Sequence, residues 1–201
     1  MKADRVMIPF PAGTYNVVYA DPPWQYSNKN TGRNMNSGAA AKYPTLSTDE
    51  ICDLKVPEII ERDAVLFLWC TVPFLPDGLR VLSAWGFKYK TMITWRKIKS
   101  LGMGFWFRNQ TEHLLLGVRG RVKAFRQQKP NIIETRVLRH SEKPEVFRDL
   151  IDQATRGIPG CRKIELFARK RVPGWEAWGN EVPEESSQIS IQKALPFEEL
   201  N

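Results

Sequence analysis

YNVVYADPPW (15–24) opens with a short apolar, β-branched run and closes on an acid, two prolines and a tryptophan. Asn16 to Ala20 predicts a buried strand, and Asp21 with Pro22 stops it. Downstream, residues 25–41 (QYSNKNTGRNMNSGAAA) have no periodicity and are rich in Asn, Ser, Gly and Ala, which predicts a long mobile loop. Ser47-Thr48-Asp49-Glu50 has the capping-box pattern and opens a short helix carrying Ile51 and Leu54. AVLFLWC (64–70) is continuously apolar, as a central parallel strand covered on both faces would be. A helix follows over 75–85, with Pro76 in its first turn and Gly86 as its stop. Residues 89–95 and 112–118 read as strands, 141–154 as a helix starting near Pro144, and KIELFA (163–168) as a last strand. On that helix Val146, Leu150, Ile151 and Ala154 should share the apolar face.

Strands alternating with helices predict an open α/β sheet, parallel at its centre and flanked by helices. Ligands of such sheets gather at the carboxyl ends of the strands, where Asp21, Thr71 and Arg169 would fall. One domain over 1–182 is expected, with mobile loops at 25–45 and 97–110. The acidic 183–201 segment lacks a core pattern and reads as a flexible tail.

The chain carries a net charge of +8. Residues 181–201 hold five acids and one base, so the first 180 residues keep 29 of the 30 bases and 17 of the 22 acids, a balance of +12. A domain so charged attracts polyanions, because neutralising phosphates releases condensed counterions. No apolar run approaches the roughly 20 residues that cross a bilayer, and no signal-like segment follows Met1, so a cytoplasmic protein without a membrane partner is expected. Cys52, Cys70 and Cys161 are odd in number and far apart, which fits neither a disulfide framework nor a metal site.

Asp21-Pro22-Pro23-Trp24 carries the chemistry. An aromatic amine is a poor nucleophile because its lone pair is delocalised into the ring. A carboxylate and a backbone carbonyl, each accepting one N–H, can localise that lone pair. Asp21 supplies the first acceptor and the Pro22 carbonyl the second, with Pro23 stiffening the turn. Trp24 is expected to stack on a base turned out of its helix. A sulfonium methyl donor needs only in-line alignment, so no metal is expected.

Together with YPTLSTDEI (43–51), LFLWCT (66–71), TWRK (94–97), GFWFRNQTEHLLLGVRG (104–120), the Ser-Glu-Lys-Pro-Glu run at 141–145, RKIELFAR (162–169) and PGWEAWGNE (173–181), this stretch resembles the MT-A70 family of N6-adenine methyltransferases. The resemblance implies a Rossmann-like fold using S-adenosylmethionine, with the catalytic motif ahead of the cofactor segments. It implies that Tyr43 helps hold the target adenine. Lys97 would reach the cofactor's carboxylate or the substrate, and Phe167, Arg169, Asn180 and Glu181 would contact its nucleoside part. DNA is favoured over RNA as the polymer. The rivals are an RNA N6-adenine methyltransferase and a silent nucleic-acid-binding scaffold, the latter disfavoured by the intact tetrad.

Arg119, Arg121, Lys123 and Arg126 form a basic stretch, read as a phosphate-tracking arm beside the site. His113 reads as structural, and His140 carries no assignment. Trp106, between Phe105 and Phe107, can meet nucleotides or pack. In the tail, Gln192, Leu195 and Phe197 follow the spacing Gln-x-x-Leu-x-Phe. That pattern resembles short peptides that bind the bacterial sliding clamp, a tethered anchor that would give the enzyme reach. Dimerisation, as a homodimer, stays open.

Overall fold

The computed structural model describes residues 8–26, 45–100, 102, 106–125, 129–137 and 142–182. Its strands are β1 (Tyr15–Ala20), β2 (Ile60–Thr71), β3 (Lys88–Ile98), β4 (Thr111–Arg119), β5 (Ile132–Arg136), β6 (Lys163–Leu166) and β7 (Glu176–Trp178). The helices are α1 (Thr48–Cys52), α2 (Leu75–Ala84) and α3 (Glu145–Thr155). The strands form one seven-stranded sheet in the order β5-β3-β4-β2-β1-β6-β7. Every pairing is parallel except the two made by β4, which runs against both β2 and β3. This is the expected α/β, Rossmann-like sheet.

β1 lies between β2 and β6, and all six of its residues are buried. Side chains alternate across a strand. Val18 and Ala20 accordingly face the core under α1 and α2, with Ile51, Leu66, Leu82 and Trp85. Val17 and Tyr19 face the opposite core, with Phe67, Trp69, Trp95, Phe147 and Ile151 under α3. α1 carries the complete capping box between Ser47 and Glu50. The Trp85 indole donates to the Ile51 carbonyl at 3.0 Å, fastening α2 to α1. α2 stops at Gly86, whose φ of +82° turns the chain into β3.

Several elements differ from expectation. β2 begins four residues earlier than its apolar run, because buried Ile60 and three successive exposed polar residues, Glu61, Arg62 and Asp63, carry the strand ahead of it. β3 continues through Lys97 and Ile98, which therefore belong to a strand and not to the 97–110 loop. The core face of α3 is Phe147, Ile151 and Thr155, while Val146 is 40% exposed. Starting the helix after Pro144 sets this phase. β6 stops at Leu166 because Phe167 turns to a φ of +62°. β5 and β7 were not anticipated; they are short and occupy the two edges of the sheet. Among the described residues, no helix is long and apolar enough to cross a membrane.

Candidate active site

The carboxyl ends of β1, β2, β6 and β7 form one edge of the sheet. β4 runs the other way, so its beginning joins them: Glu112 lies opposite Thr71 in the β2 pairing. Asp21 follows β1 at this edge, where its amide donates to the Leu166 carbonyl at 3.5 Å.

The Asp21–Trp24 turn is clamped by backbone hydrogen bonds. The Trp24 amide donates to the Pro22 carbonyl at 2.9 Å, closing a three-residue turn. Leu46 N–H donates to the Pro23 carbonyl at 2.8 Å, and Gln25 N–H to the Leu46 carbonyl at 2.9 Å. A carbonyl oxygen has two lone pairs, so Pro22 retains one for a substrate N–H. Trp24 departs from expectation. It is 7% exposed, its ring stacks on Phe74 with centroids 5.2 Å apart, and its indole N–H donates to the Trp69 carbonyl at 3.1 Å. In this structure it buttresses the turn and offers no open stacking platform.

Two residues without a sequence-assigned role complete the centre. Lys143 Nζ lies 2.8 Å from Asp21 Oδ2 and 3.3 Å from Glu112 Oε2. Glu112 Oε1 takes the ammonium of Lys97. Asp21, Lys143, Glu112 and Lys97 thus form a chain of alternating sign with no net charge. Lys143 and Lys97 also sit over the rings of Trp69 and Trp95, at 5.2 and 5.0 Å. Burial pushes the Asp21 carboxyl above its ordinary value, and the Lys143 ammonium only partly offsets this. Burial would do the same to Glu112, but Lys143 and Lys97 together outweigh it and hold that carboxyl low. Burial acts to lower Lys143, and the two carboxylates reverse it, so its ammonium is held more tightly than usual. Glu112 opens an apolar strand and Lys143 sits among acids before a helix. Both patterns ordinarily mark solvated positions, so neither stands out in the sequence.

Tyr26 borders the same edge, its hydroxyl 2.8 Å from Thr71 Oγ1 and its ring edge-on to Phe74. His113 pairs through Nδ1 with Thr94 Oγ1 at 3.2 Å inside the β3–β4 ladder, a structural position. Burial pushes the Cys70 thiol up to about 12, in keeping with a small buried hydrophobe.

The expected cofactor residues divide into two groups. Phe167, Arg169, Asn180 and Glu181 come together beyond β6 and β7. There Phe167 lies edge-on to Trp178 at 5.5 Å, Ala168 N–H donates to the Trp178 carbonyl, and Arg169 Nε lies 3.8 Å from Glu181 Oε1. Phe167 holds its left-handed backbone without being glycine, a conformation that concentrates at binding sites. Lys97 stands across the edge, on the far side of Asp21. An amide, a carboxylate, a guanidinium and an aromatic face suit the hydroxyls and base of a nucleoside. The ammonium of Lys97 suits a carboxylate, so the donor set fits S-adenosylmethionine.

The basic stretch does not join this site. β4 carries Glu112 opposite Thr71 and Arg119 opposite Ala64, in the first half of β2 and towards the other edge. Seven strand residues at about 3.4 Å each separate the two by roughly 24 Å. Arg121 N–H donates to Asp63 Oδ1 at 2.7 Å, and Arg121 and Lys123 are exposed at that remote edge. The expectation of a phosphate arm beside the catalytic motif is therefore corrected for Arg119, Arg121 and Lys123. Arg126, Tyr43, His140, Gln192, Leu195 and Phe197 lie outside the described residues.

Comparison with known proteins agrees with this geometry. The family model described as MT-A70 matches residues 15–181. The Type II methyltransferase M.MunI of Mycoplasma sp is 35% identical over 206 residues, covering 94% of this chain and 87% of its own. The Arabidopsis thaliana N(6)-adenosine-methyltransferase MT-A70-like is 31% identical over 85% of this chain and 24% of its own length. The human N(6)-adenosine-methyltransferase catalytic subunit METTL3 is 32% identical over 85% of this chain and 28% of its own length. This chain thus spans nearly all of the first relative and about a quarter of the other two.

Proposed function

The chain belongs to the MT-A70 family and is a methyltransferase, and we propose that it methylates the N6 amine of adenine in DNA, with S-adenosylmethionine as donor. The observation that carries this reading is the Asp21 carboxylate at the end of β1 with one oxygen fixed by Lys143, followed in the chain by the Pro22 carbonyl that closes the turn to Trp24.

When bound, the donor supplies a methyl group on a sulfonium. The protein prepares the amine. Asp21 Oδ1 accepts no hydrogen bond among the described residues and can take one N–H of the amine, while the second lone pair of the Pro22 carbonyl takes the other. Held between them, the nitrogen presents a localised lone pair to the methyl carbon. Transfer makes the amine cationic. Its proton leaves through the hydrogen bond to Asp21, whose raised affinity for protons suits it to receive one and release it to water. Lys143 keeps Asp21 oriented, and Glu112 keeps Lys143 from being an isolated buried charge. Phe167, Arg169, Asn180 and Glu181 bind the nucleoside end of the donor, and Lys97 its carboxylate.

The test is transfer of labelled methyl to double-stranded DNA, single-stranded DNA and RNA, with Asp21→Ala alongside and digestion to nucleosides. N6-methyladenine in DNA that disappears with Asp21→Ala supports the proposal. Labelling of RNA alone overturns the choice of polymer, and donor binding without transfer to any substrate overturns the reading of this chain acting by itself. We extend the proposal to two partners. The Gln192, Leu195, Phe197 pattern is read as a sliding-clamp peptide; equal retention of the intact and Leu195→Ala/Phe197→Ala tails on purified clamp would end that idea. The chain is read as a homodimer, which a monomeric mass in sedimentation equilibrium would refute.

A further inference from the structure

Six of the seven tryptophans are 7% exposed or less, whereas Trp106 is 95% exposed and its neighbour Phe107 is 88% exposed. Two adjacent aromatic rings standing in water are the kind of apolar surface that calls for a partner. They project from the connection between β3 and β4, and the base of that connection is pinned. Lys97 N–H donates to the Gln110 carbonyl at 2.8 Å, Gly102 N–H to the Asn109 carbonyl at 2.9 Å, and Arg108 Nε to the Gly102 carbonyl at 3.0 Å. A Cβ on Gly102 would lie 2.4 Å from the Asn109 carbonyl oxygen, so only glycine permits this crossing.

The connection opens at the catalytic edge. Trp106 is six residues from Glu112, which Lys143 ties to Asp21, so its Cα stands within about 22 Å of the Glu112 Cα. The surroundings are cationic: Lys99, Arg108 and Arg136 are exposed, and Arg136 ends β5 in register with Ile98. Aromatic faces set among cations along a path are what a DNA strand with unstacked bases binds.

We propose that Trp106 and Phe107 form a stacking wedge that takes up the bases flanking the target adenine. The rings replace the stacking lost when that adenine enters the site. The proposal rests on the reading of DNA as substrate.

The test uses the full chain and a fluorescein-labelled oligodeoxynucleotide, single-stranded and duplex. Trp106→Ala should weaken binding roughly tenfold and Trp106→Phe should recover most of it. The slope of affinity against salt should stay unchanged, because no charge is removed. DNA should quench the solvent-exposed tryptophan emission of the wild type and leave the emission of Trp106→Phe, from buried tryptophans, unchanged. Melting temperature and S-adenosylmethionine binding should match the wild type, since so exposed a ring does not support the fold. If the wild type methylates DNA while Trp106→Ala equals it in affinity and kcat/KM, the wedge is wrong and the substrate reading stands. If the wild type methylates no DNA, the substrate reading fails and the wedge with it.

Discussion

Replacing Lys143 with Met keeps the length of the side chain and removes its charge. Lys143 touches Asp21 at 2.8 Å and Glu112 at 3.3 Å, and the three side chains are 13%, 27% and 13% exposed. Removing one member of a buried ion pair costs about 3–5 kcal/mol, because the remaining charge is left uncompensated. Here water reaches Asp21 and Lys97 still neutralises Glu112, so about 2–3 kcal/mol is expected. At about 2–4 °C per kcal/mol for a domain of this size, the melting temperature falls by roughly 5–10 °C. The pH dependence follows from the directions of the shifts. Lys143 is raised above its ordinary value, so its contribution is complete throughout neutral pH and is lost only as pH climbs past the ordinary lysine range. In Lys143→Met, Asp21 keeps the burial that raises it and loses the cation that lowered it. Its protonation then moves to higher pH, and the protonated form carries no buried charge. The stability gap between wild type and variant should therefore be widest at pH 8 and narrow towards pH 5, by urea unfolding. The acid limb of kcat/KM should move to higher pH in the variant. A gap below about 0.5 kcal/mol at pH 8, with an unmoved acid limb, would show that the pair neither stabilises the site nor tunes Asp21.

Asp21→Asn should reduce N6-methyladenine formation at least about 100-fold while leaving stability within about 1 kcal/mol, since burial already disfavours the ionised carboxyl; nucleoside mass spectrometry and urea melts measure the two effects separately. Trp24→Ala should cost about 3–5 kcal/mol through the cavity left against Phe74, and a loss of DNA binding without loss of stability would instead mark Trp24 as an open platform. Gly179→Ala would bring a Cβ within 2.3 Å of the Ala168 carbonyl oxygen; pushing β7 away from β6 should weaken S-adenosylmethionine binding in calorimetry at a stability cost of about 1–3 kcal/mol. Arg121→Ala/Lys123→Ala, at the remote edge, should leave kcat/KM on a short oligonucleotide within about twofold of wild type, and a larger loss would place DNA across that edge.

The parts of the fold that announce themselves are those with apolar signatures or terminus chemistry. β1 with its Asp-Pro-Pro stop, the continuous run of β2, the Ser47–Glu50 box and the Gly86 stop all follow from residues 15–86 read locally. β5 and β7 do not, because a short strand at a sheet edge is half exposed and owes its existence to its neighbour's ladder. The reversed direction of β4 is equally invisible, since an apolar run has no polarity of its own. That one reversal explains two misplacements in the sequence reading. It brings Glu112 into the site unannounced, and it carries Arg119 away from a motif it was expected to flank. Asp21 was legible because it ends an apolar strand, and the β6–β7 residues only through the family resemblance; Lys143 arrives from a loop 122 residues after Asp21, a pairing only the tertiary structure creates.

β3 and β4 are joined at the Glu112 end of the sheet by the twelve residues 99–110, and the ladder beneath them runs unbroken from Thr91 to Arg96. Doubling the length of such a connection adds only about 0.6 kcal/mol of closure entropy. Sequence can therefore be inserted or exchanged there while β3, β4 and Glu112 keep their places. An antiparallel strand in an otherwise parallel sheet thus gives the protein a graftable connection whose base adjoins Lys97 and Glu112. On the proposal that Trp106 and Phe107 take up the flanking bases, target preference can be rewritten at that position without moving Glu112.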